Sequence, residues 1–236
     1  MTRVASLFLT IGLAVSLSGC PGKADKKAET ETAKAGSEAA KATPETPKKP
    51  TARALGGRWN EAGALPLAIE RPVAIELTDG RVFAYGNGDD PRGAIWDPKT
   101  SVWTATAPSK RPRGEPAASL LPDGTILVTG GVHIPKGHYV LRSSERYDPK
   151  INTWKDSGNT GDQRRGHTHT TLSDGRVLIT GGVGGGFAAP TRGIDVFDPG
   201  SGKYKPHAEL GVGRSFHATV DLGSGRLLVV GGQDKE

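Results

Sequence analysis

The chain has 236 residues, with 34 glycines and 17 prolines but one cysteine and one methionine, and 35% of it is hydrophobic. Glycine and proline at this density argue against a helical bundle and for many short strands joined by turns. Half of the net charge of +6 lies in residues 21–56, where eight Lys/Arg face five Asp/Glu; residues 57–236 carry 22 basic against 20 acidic residues, a near-neutral balance that argues against a nucleic-acid footprint.

Residues 1–19 read as a secretory signal: Arg3, an apolar run from Val4 to Leu17, then small residues before Cys20. The run is too short for a spanning helix. Leu17-Ser18-Gly19-Cys20 resembles a bacterial lipobox, and the chain's single cysteine falls at the position lipidation needs. The resemblance implies diacylglycerol transfer to the Cys20 thiol, cleavage before it and a membrane partner held through that anchor. Pro21 after the cysteine implies outer-membrane sorting in a bacterial cell envelope. One cysteine leaves no disulfide to form.

Residues 20–56 form the expected tether. The run "PGKADKKAETETAKAGSEAAKATPETPKKPTARA" holds no large apolar side chain, so it cannot offset its own ordering entropy.

From residue 57 onward the sequence repeats. Blades are expected at about 71–104, 113–155 and 164–205, with part of a fourth at 214–232. Glycine pairs begin at Gly130, Gly181 and Gly231, with Gly86-Asn87 as the drifted first copy. Each unit opens with a strand, then Asp79-Gly80, Asp123-Gly124 or Asp174-Gly175, expected as two-residue hairpin turns with positive φ. A short buried strand follows and ends at Gly130-Gly131, Gly181-Gly182 or Gly231-Gly232, where backbone or a ring must come close. An alternating strand then ends in aromatic-Asp-Pro: Tyr147-Asp148-Pro149 and Phe197-Asp198-Pro199, with Trp96 in the same register. Trp103, Trp154 and Tyr204 close each unit with a ring large enough to pack between neighbours.

Four antiparallel strands in about 50 residues is the arithmetic of a propeller blade. The glycine pair, the aromatic-Asp-Pro segment and the Arg-x-x-His of Arg164/His167 and Arg214/His217 together resemble the kelch repeat. That resemblance implies an all-β fold: a kelch-type β-propeller of four-stranded antiparallel blades, incomplete, with three full blades and part of a fourth. "GRWNEAG" at 57–63 is the candidate closing strand, since the family often completes its last blade that way. The missing third strand of the last unit suggests a shortened reading frame or paralogue. A small four-unit ring and two chains pooling blades are the alternatives. Unpaired blade edges make self-association an expectation.

Candidate chemistry is sparse. Gly184, Gly186 and Ala189 satisfy G-x-G-x-x-A, but Pro190 stands where a dinucleotide fold would be well into its helix. The family includes a copper oxidase of galactose, whose chemistry needs a tyrosine–cysteine crosslink; the sole cysteine here is Cys20, so no cofactor is expected. His167, His169 and His217 suggest either a metal site or, preferred, hydrogen-bonding core residues near the axis. The connections after the glycine pairs and between blades vary and should share one face, the natural place for binding. Candidate binding-face residues are Lys136, His138, Tyr139, Arg142, Phe187 and Arg192. The expected function is a lipid-anchored scaffold for an unknown protein or glycan ligand. A carbohydrate-active enzyme working at the propeller axis, or an inactive truncated paralogue, are the alternatives.

Overall fold

The computed structural model describes residues 60–87, 89–135, 139–186 and 188–234. Cys20, the signal segment, the tether, Trp59, Lys136, His138 and Phe187 lie outside the described residues, as do 57–59 of the candidate closing strand.

Sixteen strands were identified among the described residues, and no helix. The first sheet takes β1 (Glu70–Glu76), β2 (Val82–Asn87), β3 (Ala94–Asp97) and β4 (Val102–Ala105) in that order. The second takes β5 (Ala117–Leu120), β6 (Ile126–Thr129), β9 (Ser143–Asp148) and β10 (Thr153–Asn159); between β6 and β9 a small hairpin holds β7 (Val132–His133) and β8 (Tyr139–Val140). The third takes β11 (Thr168–Thr171), β12 (Val177–Thr180), β13 (Gly193–Asp198) and β14 (Lys203–Glu209). A two-stranded sheet of β15 (Ala218–Asp221) and β16 (Leu227–Val230) comes last. Every pairing is antiparallel. The first strands β1, β5, β11 and β15 lie side by side in chain order, and their sheets stack face to face behind them.

The stacking follows from the two-residue period of a strand, which sends alternate side chains to opposite faces. Phe83, Tyr85 and Ile95 of the first sheet meet Ile126, Val128 and Tyr147 of the second in one core cluster. Leu121 and Leu127 on the second sheet's other face meet Val177, Ile179 and Phe197 of the third. Leu178, Ile194 and Val196 on the third sheet's other face meet Leu227. On the far face of the last sheet, Val220, Leu222, Leu228 and Val230 are each roughly half exposed. The rings behave as large spacers: Trp154 lies 5.2 Å from Tyr85 and 4.9 Å from Tyr147, so it bridges two sheets.

Two expectations sharpen. The Asp-Gly turns are three-residue loops, not two-residue ones. Only the glycines (Gly80, Gly124, Gly175) have positive φ, and Leu77 N–H donates to the Arg81 carbonyl across Thr78-Asp79-Gly80. The geometry is a type I turn closed by a left-handed glycine. The glycine pairs meet the next blade: a Cβ on Gly130 would lie 2.3 Å from the Arg164 carbonyl oxygen and 2.8 Å from the His167 ring. Gly181 stands in the same relation to Arg214 and His217.

Residues 62–69 pack on the outer side of the first sheet, where Leu65, Leu67 and Ile69 cover Ala84, Ala94 and Trp103. Gly63 stands four residues after Trp59, as Ala107 does after Trp103 and Gly158 after Trp154. All three meet the next blade's ring: Gly63 beside Trp103, Ala107 through its carbonyl to Trp154 Nε1, Gly158 beside Tyr204. The segment therefore occupies the place of an inter-blade connection.

Candidate binding site at the loop face

At the heads of β5, β11 and β15 the chain is clamped by a two-way backbone pair. Gly114 exchanges hydrogen bonds with Val132, Arg165 with Val183 and Ser215 with Gln233, all at 2.7–3.0 Å. The residue after each clamp is left-handed: Glu115 (φ 52°), Gly166 (φ 60°) and Phe216 (φ 56°), with Arg71 (φ 49°) at the same place in the first blade. Left-handed non-glycine residues cost energy and collect where the surrounding structure holds a functional constellation. Here they form a row across the heads of the inner strands.

Their side chains meet. Glu115, with a side chain only 11% exposed, bridges Arg71 and Arg165, the latter at 2.9 Å. The Arg165 guanidinium also lies 5.7 Å from the Phe216 ring centre. Gly166 has no Cβ because the Phe216 ring would be 2.8 Å from it, and Phe216 N–H donates to the Gly166 carbonyl. Glu70, Arg71, Glu115, Val132, Arg165 and Gly184–Gly186 border a cleft of about 380 Å³. The connections after β6 and β12 and the inter-blade connections thus contribute to one face. The Gly184–Gly186 run opens one wall of this cleft.

Beneath the cleft the chemistry is structural. Arg113 donates to the Gly130 and Ser143 carbonyls and pairs with Glu145 at 2.8 Å, both side chains almost fully buried. Arg164 repeats this with the Gly181 and Gly193 carbonyls and Asp195 at 2.7 Å. The first blade has Ile69 and Ala94 at the two positions, an apolar replacement of the whole pair. His167 and His169 both hydrogen-bond Thr129 Oγ1, at 2.6 and 2.8 Å, and His169 also meets Ser119 Oγ at 3.0 Å. Burial, reinforced by His169 and the neighbouring arginines, holds His167 well below the usual imidazole range. Burial brings His169 down to about 3, so both rings are neutral bridges between blades at pH 7. Among the described residues no cluster of three His, Cys, Asp or Glu is arranged to hold a metal.

The loop residues singled out by sequence are dispersed. Tyr139 is exposed and stacks at 5.0 Å on His133. Arg142 is exposed while its carbonyl accepts from Thr160. Arg192 donates to the Leu210 carbonyl and pairs with Glu209 at 3.3 Å. None of these three borders the cleft. Sequence reasoning missed Arg71, Glu115, Arg165 and Phe216; the signal available was that Arg71 and Glu115 each stand eight residues before the aspartate of a repeated Asp-Gly turn.

No family model matches the chain. It is 42% identical over 72 residues to Kelch-like protein 23 from Mus musculus, covering 30% of this chain and 12% of that protein. It is 30% identical over 138 residues to galactose oxidase from Gibberella zeae, covering 53% of this chain and 19% of that protein. The match thus takes in less than a fifth of either relative. The solved structure of YjhT superposes with a TM-score of 0.58 and 18% identity, covering 67% of this chain and 57% of that one. The chain is a kelch-repeat β-propeller. In this kelch propeller the buried Arg113–Glu145 and Arg164–Asp195 pairs fasten the Gly130-Gly131 and Gly181-Gly182 pairs to their own blades, while Gly131 and Gly182 N–H, donating to the Arg164 and Arg214 carbonyls of the next blade, and the histidines fasten blade to blade. The kelch scaffold leaves the row of left-handed residues as its most constrained accessible feature.

Proposed function

We propose that this propeller is a binding module, held by a lipid on Cys20 at the outer membrane of a bacterial cell envelope, that takes a glycan or protein ligand in the loop-face cleft. The observation that carries the reading is the recurrence of left-handed backbone at Arg71, Glu115, Gly166 and Phe216, which sets an ion-paired cluster in the cleft and an exposed ring 5.7 Å from its Arg165 guanidinium. Opposed charges with a flat aromatic face suit a ligand that presents hydroxyls or amides over an apolar patch. The tether expected in 20–56 would lift that face off the membrane. The experiment is a panel of envelope oligosaccharides and peptides, followed for binding and for chemical change. Saturable binding without turnover supports the module. Turnover would favour the second reading, a carbohydrate-active enzyme at the same cleft, to which the match with galactose oxidase lends support. The anchor is tested separately: Cys20→Ser should move the chain from the membrane to the soluble fraction and abolish labelling by an alkyne fatty acid.

A further inference from the structure

The second blade departs from the repeat at two neighbouring places, both on the side that faces the third blade. In the first and third blades the residue after the Asp-Gly pair is an arginine that reaches back to its own aspartate: Arg81 to Asp79 and Arg176 to Asp174. The second blade has Thr125 there, and Asp123 takes its arginine from β9 instead, through Arg146. Arg146 in turn stands where β3 and β13 bury Ile95 and Val196 against the next sheet. Strand pairing sets Lys155 of β10 directly opposite Arg146, whereas Thr104 and Lys205 stand opposite the apolar residues of the other two blades. Two cations placed directly opposite each other repel.

Between this sheet face and the turn from β13 to β14 the blades leave a cavity of about 480 Å³. Arg146, Lys155 and Ser157 line it together with Asp123, Asp148 and, across the gap, Gly202. It shares no residue with the loop-face cleft. The carboxylates are supplied with donors: Asp123 by Thr125 and Arg146, Asp148 by the Lys150 N–H, and the neighbouring Asp156 by Lys110. The donors are not matched in the same way. Arg146 uses Nε and Nη2 on Thr125 and Asp123. Among the described residues no hydrogen bond was identified for its Nη1, for the Lys155 ammonium or for the Ser157 hydroxyl. Ser157 is only 8% exposed, so its hydroxyl has little access to bulk water.

We infer that this inter-blade cavity binds a tetrahedral oxyanion, phosphate or sulfate, either as the free ion or as an ester on a hydroxylated molecule. Three donors of different kinds, a guanidinium edge, an ammonium and a hydroxyl, suit a group with several equivalent acceptor oxygens. Bonds from the two cations to an oxyanion are charge-assisted, and the anion relieves the repulsion between Arg146 and Lys155. The Asp148 carboxylate, on the same sheet face, is the acceptor for an ester's own hydroxyls. The site owes nothing to the loop-face reading and stands or falls separately from it.

The test is calorimetry on the full chain with inorganic phosphate, inorganic sulfate, glucose 6-phosphate and glucose. Saturable binding of any of the three anions, with none of glucose, is the expected result. Tighter binding of glucose 6-phosphate than of phosphate assigns the site to an ester, and equal or weaker binding assigns it to the free ion. Lys155→Thr and Arg146→Ile copy Thr104 and Ile95 of the first blade, and each should weaken the bound anion at least about tenfold, the worth of one charged hydrogen bond. Ser157→Ala should weaken it by a smaller factor. Lys155 is exposed, so its replacement leaves the fold intact even if the Arg146 variant does not fold. Arg71→Gln combined with Arg165→Gln removes the cations of the loop-face cleft and should leave this binding unchanged. No saturable binding of any anion, unchanged affinity in Lys155→Thr, or a loss confined to the Arg71 and Arg165 variant overturns the inference.

Discussion

Gly181 and Gly231 have nearly the same left-handed backbone, φ 62° and 68°, but different surroundings. A Cβ on Gly181 would lie 2.5 Å from the Arg214 carbonyl oxygen, whereas nothing lies within 4 Å of one on Gly231. Gly231→Ala should therefore cost only the conformational penalty of about 1–2 kcal/mol, and Gly181→Ala about 1–3 kcal/mol more for the overlap. Chemical denaturation of the two variants checks the difference. The buried pair makes a second contrast. Arg164→Ala leaves Asp195 charged and buried, an expected loss of about 3–5 kcal/mol. Arg164→Ile with Asp195→Ala copies Ile69 and Ala94 of the first blade, and should regain at least half of that loss. The histidines give a pH signature. Their folded pKa values lie below the unfolded value of 6.5, so the unfolded chain binds more protons as the solution is acidified. Stability contributed by the neutral rings is complete above about pH 6.5 and is lost progressively below it, down toward the folded values. The melting temperature should fall between pH 7 and pH 5, and His169→Gln should flatten that fall.

Strands and turns were largely legible because their signals are local. Asp-Gly, Gly-Gly and aromatic-Asp-Pro recur at fixed offsets, and each marks a place where φ, close approach or a missing N–H restricts the residue. The size of the Asp-Gly loop was not legible, since the same dipeptide serves both turn types and cross-strand register decides between them. The cluster at the cleft was less legible still. Nothing in Arg71, Glu115 or Phe216 announces left-handed backbone; at Glu115 and Phe216 the clamps Gly114–Val132 and Ser215–Gln233 impose it from outside the residue. Among these four positions only Gly166 carries the expected residue type. Arg142 and Arg192 look alike in sequence and repeat in register, yet they serve the connection to the following blade, which no local pattern reveals.

Across the whole propeller, asymmetry between the two ends stands out. The first sheet's outer face is covered by Leu65, Leu67 and Ile69, while the last sheet's outer face shows Val220, Leu222, Leu228 and Val230 to solvent. Such an exposed apolar face is adhesive, so Leu228→Lys with Val230→Thr should reduce self-association on sizing chromatography without disturbing the buried clusters. The repeat and its blade order could be read from the residues, because periodicity survives drift in single positions. Which side chains of the loops meet at the cleft could not, because it depends on how the blades sit around the axis. The central claim is that the loop-face cleft binds, and calorimetry on the full chain with Glu115→Gln and Phe216→Ala tests it most directly. With an oligosaccharide or peptide selected from the envelope panel, each variant should lose at least about tenfold in affinity while melting within a few degrees of the wild type. Unchanged affinity in both variants, with the fold intact, would contradict the account.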